Sequence, residues 1–111
     1  MIRHDGYYRK NPTLYEDGIA NHWVKKYMHR AFYFLPNGLF LRASENSESK
    51  QVDFTKLDFS PDFPNKYEVK DNKLEMFFET GTEWEFSEIF EIVSSEELKS
   101  DKRTLRFVSW M

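Results

Sequence analysis

A chain of 111 residues with 40% hydrophobic and 32% charged side chains has the size and balance of one domain, residues 1–111, large enough to bury its own core. Its net charge of −3 is spread without a basic stripe, which argues against nucleic-acid binding. It lacks Cys and any long apolar run, and its first residues lack the apolar region of a signal peptide, so disulfides, thiolate chemistry, a transmembrane segment and a secretory leader are not expected.

Aromatic side chains make up 18% of the chain, including 11 Phe, a composition that argues against disorder. In chain order the pattern predicts strands over residues 6–10, 23–35, 38–44, 51–57, 66–70, 73–80, 83–93 and 103–110. The segment Asn11 to Asn21, with its Asn-Pro and Asp-Gly pairs, reads as irregular, with Pro12 suited to the first position of a short helical turn. Ala31-Phe32-Tyr33-Phe34-Leu35 stops at Pro36-Asn37-Gly38 and resumes at Leu39, a hairpin signal. Asp71-Asn72 reads as a second tight turn, and Ser44 to Gln51 as a solvated loop. Turns this short join hairpin neighbours, not βαβ crossovers.

Side-chain parity sets the register. A two- or four-residue loop at Asn37-Gly38 places Phe32 and Phe34 on one face with Leu39, Leu41 and Ala43. Tyr33, Leu35, Phe40 and Phe77 then fall on the opposite face, as an exposed patch or beneath the segment from Asn11 to Asn21. A two-residue turn at Asp71-Asn72 adds Tyr67, Val69, Leu74 and Met76 to the apolar face. An odd-numbered loop around Gly81-Thr82-Glu83 adds Phe78, Trp84, Phe86, Phe90 and Ile92, whereas an even loop throws Trp84 and Phe86 out among Glu75 and Glu79. A meander with one apolar face and no amphipathic helix to cover it is expected to close on itself. The expected fold is all-β, a single up-and-down antiparallel meander barrel of about eight strands.

The order of elements resembles the lipocalin-like domains of the calycin group, in particular compact bacterial members. Gly6-Tyr7-Tyr8 opens the first strand, Phe34 to Phe40 gives the aromatic strand and turn, and Tyr67-Glu68-Val69 precedes the Asp71-Asn72 turn. Phe90 to Leu98 is similar to the penultimate strand leading into the last. The third residue of the opening is Tyr8 where lipocalins have Trp, and the family's C-terminal helix is missing. The resemblance implies a small hydrophobic ligand held in the barrel and an exported or cell-envelope protein, although the Cys of a lipid anchor is absent.

The candidate ligand-binding residues are Glu88, Arg30, Tyr67, Phe32, Phe86 and Trp84. Glu88 lies between Phe86 and Phe90 on the apolar face, where a carboxylate is costly unless paired. It is either a polar contact for a ligand, with Arg30, Arg106 or Tyr67 nearby, or a member of a structural ion pair, or turned outward by a bulge. Arg30 has inward parity and suits the barrel mouth, whether as a ligand contact or as a snorkelling rim residue. Arg106 has no assigned face, because Leu105 with Phe107 and Val108 with Trp110 argue for opposite sides. His4, His22 and His29 fit no metal-ligand spacing and read as surface or rim residues. No nucleophile elbow, phosphate loop or nucleotide fingerprint occurs, so no enzyme activity, metal or cofactor is expected. The bulky inward residues suit a filled barrel as well as a ligand pocket, which leaves a protein-interaction or inhibitor module as the alternative, and the oligomeric state stays open.

Overall fold

The computed structural model describes residues 2–19, 22–48, 65–79 and 81–110. They form an all-β fold of nine strands: β1 (Gly6–Lys10), β2 (Thr13–Ile19), β3 (His22–Phe34), β4 (Phe40–Ser47), β5 (Lys66–Lys70), β6 (Lys73–Phe78), β7 (Phe86–Ser94), β8 (Glu97–Lys99) and β9 (Thr104–Ser109). All pair antiparallel in one sheet of order β2-β3-β1-β9-β8-β7-β6-β5, with β4 on the other edge of β3. The expected strand at 51–57 lies outside the described residues.

Three strands differ from the sequence reading, and the first is β4, where Ser44 to Ser47, expected in a solvated loop, pair with Tyr27 to Arg30. Thr13 to Ile19 is strand β2, not an irregular segment or a helical turn, and pairs residue by residue from Thr13↔Met28 to Ile19↔His22. Asp17-Gly18 therefore sits inside a strand. A Cβ on Gly18 would lie 2.6 Å from the ring of Trp23 directly opposite, so the ring covers a site that only Gly leaves open. Pro12, which has no N–H to donate, marks the break between β1 and β2, which pair with successive stretches of β3. Short β8 was also missed, because Ser95-Glu96 forms a tight turn after a bulge between Ile92 and Ser94.

Parity holds in two hairpins and fails in one. Asp71 and Asn72 both take positive φ (50° and 66°), as a type I′ turn demands, and Val69↔Leu74 and Tyr67↔Met76 pair across it. Between β6 and β7 the loop is odd-numbered, so Phe78↔Phe86, Met76↔Glu88 and Leu74↔Phe90 pair as expected. At Asn37-Gly38 the loop is also odd-numbered, spanning Leu35 to Leu39 and pairing Phe34↔Phe40. Phe40 is therefore buried with Phe32 and Phe34, while Leu41 pairs with Tyr33 on the other face. Burying a Phe ring in place of two Leu side chains joins three rings, Phe40 lying tilted 5.8 Å from Phe34 and edge-on 5.3 Å from Phe78.

Those contacts show how the sheet curls. Rings from β3 and β4 meet Phe78 of β6, and the core continues through Tyr8, Leu74, Met76, Phe90, Leu98 and Leu105. Hydrogen bonds do not close this curl into a barrel among the described residues. Between β4 and β5 stands only the single bridge Leu39↔Lys66, with Phe40 N donating to Asn65 O and Tyr67 N to Gly38 O, each at 3.0 Å. Val69, expected inside, is half exposed on the terminal strand β5. Leu105 and Phe107 point into this core, while Val108 and Trp110 pack on Tyr7 and Ala31 across the sheet. Both faces of β9 are thus covered, and Arg106 is exposed, 3.9 Å from Glu97.

The β1–β9 seam depends on one close approach. A Cβ on Gly6 would stand 2.2 Å from Val108 O and 2.5 Å from the Phe107 ring. Gly6→Ala should therefore lower the unfolding free energy by about 1–3 kcal/mol, read as a reduced urea midpoint with little change in slope.

Candidate functional site

At one end of the core the sheet leaves a cleft of about 860 Å³ open to solvent. Six of the nine strands supply its walls, β2 through Thr13 at its start. Lys10 closes β1, Arg30 and Phe32 lie on β3, Arg42 and Ala43 on β4, Phe78 on β6, and Phe86 and Glu88 on β7. Lys102 and Arg103 come from the turn before β9. Their positions follow from parity: Glu88 pairs with buried Met76, between the positions of Phe86 and Phe90, so its side chain has nowhere to go but inward.

Inside, Glu88 meets Arg103. The guanidinium donates through Nη2 to Oε1 at 2.9 Å and through Nε to Oε2 at 3.2 Å, and only 13–15% of either side chain is exposed. Ser100 Oγ donates to the same Oε2 at 2.7 Å. The Ser100 hydroxyl also accepts the backbone N–H groups of Lys102 and Arg103, both at 3.2 Å, and so shapes the turn that delivers Arg103. Above the fork, the Arg103 guanidinium carbon lies 5.1 Å from the Phe32 ring centre, 5.7 Å from Phe90 and 5.9 Å from Phe78. The carboxylate is thus satisfied by a bidentate, charge-assisted pair.

That pairing leaves the cleft cationic. Arg42 stands 3.8 Å from Glu79, and Arg103 is taken by Glu88. Among the described residues, Lys10, Arg30 and Lys102 have no ion-pair partner. Partial burial, and then the positive charges of Arg30 and Arg103, hold the Lys10 ammonium below the usual lysine range, with Glu88 opposing.

The six candidate residues fall into three groups. Glu88, Arg30, Phe32 and Phe86 line the cleft, with Phe32 buried as its floor, Arg30 exposed and Phe86 54% exposed. Tyr67 is elsewhere: its ring packs 5.0 Å from Phe34 and its hydroxyl donates to Leu35 O, which pins the turn between β3 and β4. Burial there raises its phenol pKa. Trp84, expected on the inward face, is 72% exposed in the loop between β6 and β7. Glu79, with φ of 54°, starts that loop, and its carbonyl accepts from Thr82 N and Oγ1. Trp84 N in turn donates to Thr82 Oγ1, which presents the indole outside the sheet.

Sequence reasoning missed Arg103, Lys10, Arg42 and Lys102. Lys102-Arg103 was visible only as one of two basic pairs. The signal that would have found it is Ser100, in the loop three residues before an Arg that opens the predicted last strand, opposite a strand with a Glu of inward parity. Arg42 was hidden by the assumed loop length, since an odd loop gives it the parity of Phe32. Of the histidines, His29 is buried on β3, contrary to the surface or rim expectation, and His4 is exposed with Nδ1 2.8 Å from Phe34 O. Among the described residues no cluster of His, Asp and Glu is placed to hold a metal ion, and no helix is long and apolar enough to cross a membrane.

No family model, curated protein or solved structure matches the chain.

Breaking the ion pair from one side strands a charge. Glu88→Gln should cost roughly 3 kcal/mol of stability. The double variant Glu88→Gln with Arg103→Met should lose less than the sum of its single changes, because the lone cation goes with its partner. Urea unfolding of the four proteins measures this coupling directly.

Proposed function

We propose that this domain binds a small organic anion with an apolar body in the cleft between β1, β3, β4 and β7. The observation that carries this reading is the grouping of Lys10, Arg30 and Lys102, unpaired among the described residues, above a floor of Phe32 and Phe78. The chain as a whole carries a net charge of −3, so the positive cleft is a local feature against an acidic background. A volume of about 860 Å³ falls in the range of small-molecule sites. The core of the sheet is filled by its own rings, which favours this open, charged cleft over a closed apolar pocket as the binding place.

The same reading takes the curled sheet as a barrel of the lipocalin-like type. It is supported by the sequential antiparallel neighbours from β5 to β9, the pairing of β1 with β9, and the bridge between Leu39 and Lys66. A protein-interaction role has its own support in the exposed Trp23, Trp84, Ile89 and Val93.

Calorimetric titration separates the two readings. Naphthalene-2-carboxylate should bind at least tenfold more tightly than neutral naphthalene-2-methanol, and the double variant Lys10→Gln with Arg30→Gln should erase that preference. Equal binding of acid and alcohol by the wild type would overturn the proposal. The pH dependence has a definite sign. A bound anion favours the charged form of Lys10 and so raises its pKa. Affinity should therefore be greatest well below the lowered Lys10 pKa of the free protein and start to fall as pH rises through it, at a lower pH than for an ordinary lysine near 10.4.

A further inference from the structure

We infer that the apolar body of the bound anion is a planar aromatic ring, stacked on the open side of Phe86. This inference rests on the anion-binding reading above and specifies the ligand class of that site. Three observations carry it.

The first is the geometry of Phe86 itself. Its ring lies 4.8 Å from that of Phe78 at an interplanar angle of 7°. The other ring pairs among the described residues are tilted or edge-on, with interplanar angles from 43° to 88°. Edge contacts suit a core that must interlock, whereas a parallel pair ends in a flat face. Phe86 is 54% exposed, lines the cleft and has no ring partner other than Phe78 among the described residues, which leaves its second face for a third ring.

The second is the composition of the lining. Among the described residues, its apolar side chains are the rings of Phe32, Phe78 and Phe86, and Ala43, which pairs with Ala31, turns its methyl to the other face. A flexible alkyl chain is best held by branched aliphatic walls that surround it, whereas the described lining offers ring faces.

The third is charge. Arg103 already lies over Phe32, with Phe78 and Phe90 within 6 Å, which places a fixed cation behind the aromatic wall. Lys10 and Arg30 line the same cleft as Phe86. An aryl carboxylate, sulfonate or phosphate therefore meets a ring face and a cation in one site, and a rigid planar ligand loses little rotational freedom on binding.

Matched probes test this. Naphthalene-2-carboxylate and decahydronaphthalene-2-carboxylate share charge and approximate size but differ in aromaticity. Wild-type protein should bind the aromatic acid about tenfold more tightly, a ratio expected of one added ring stack. Phe86→Leu should reduce that ratio to less than about threefold, and Phe86→Tyr, which keeps a ring, should restore it. A thermal unfolding scan of each variant confirms that the fold persists. Equal binding of the two acids by the wild type, or an unchanged ratio in Phe86→Leu, would overturn the aromatic inference while leaving the anion site standing. Failure of both acids to bind would remove both readings. Tighter binding of an eight-nucleotide oligothymidylate than of the naphthoate, lost in Phe86→Leu, would also overturn it and assign the surface to single-stranded nucleic acid.

Discussion

A carboxylate on the apolar side of a strand must find a cation, and the way Glu88 finds one organises the open end of this molecule. Period-two alternation puts Glu88 inward between Phe86 and Phe90. Left alone there, the charge would be costly, because little water reaches it. Arg103 answers with two N–H donors, and Ser100 with a third. The consequence extends beyond the pair. Holding Arg103 in place sets the turn from Ser100 to Arg103, and that turn delivers Lys102 to the rim. Neutralising Glu88 internally also leaves Lys10 and Arg30 without a carboxylate, so the cleft keeps a positive character that the chain as a whole lacks. Partial burial first, and then that field, lower the Lys10 pKa.

Much of this was legible from alternation alone. An odd loop between β6 and β7 was required by the apolar pattern, and it yields the observed pairs Phe78↔Phe86 and Leu74↔Phe90. Asp71-Asn72 forms the two-residue turn its composition suggests, because both residues tolerate positive φ. Register puts Glu88 on the apolar face but leaves ligand contact, ion pair and outward bulge all open, and the neighbours it suggests, Arg30, Arg106 and Tyr67, omit Arg103. Alternation describes one strand and its hairpin neighbour, whereas Arg103 arrives from a turn two strands away. A side chain that comes from outside the ladder has no periodic signature.

Where the reading failed, turn signals were over-weighted. Asn37-Gly38 is a strong hairpin mark, but it fixes neither loop length nor parity. The five residues from Leu35 to Leu39 let Phe40 enter the core and give Arg42 the parity of Phe32. Asp17-Gly18 looked like a break for the same reason. There the decisive residue was across the ladder, since Trp23 covers Gly18 in a way that no local window reveals. Trp84 shows the converse. Its parity pointed inward, but hydrogen bonds centred on Thr82 hold a wider loop that carries the indole out.

The filled core and the open cleft then belong to one arrangement. Tilted and edge-on contacts among Phe32, Phe34, Phe40 and Phe78 pack the sheet's interior. Packing of that kind needs each ring to have a neighbour on its edge, and it stops where the neighbours become Arg103 and Glu88. Beyond them, another ring would have to displace a satisfied ion pair. The apolar surface therefore ends in Phe86, stacked flat on Phe78 and half exposed. A ligand that fits there must suit both sides of that boundary, offering a flat apolar face to Phe86 and a negative charge to the cations beside it.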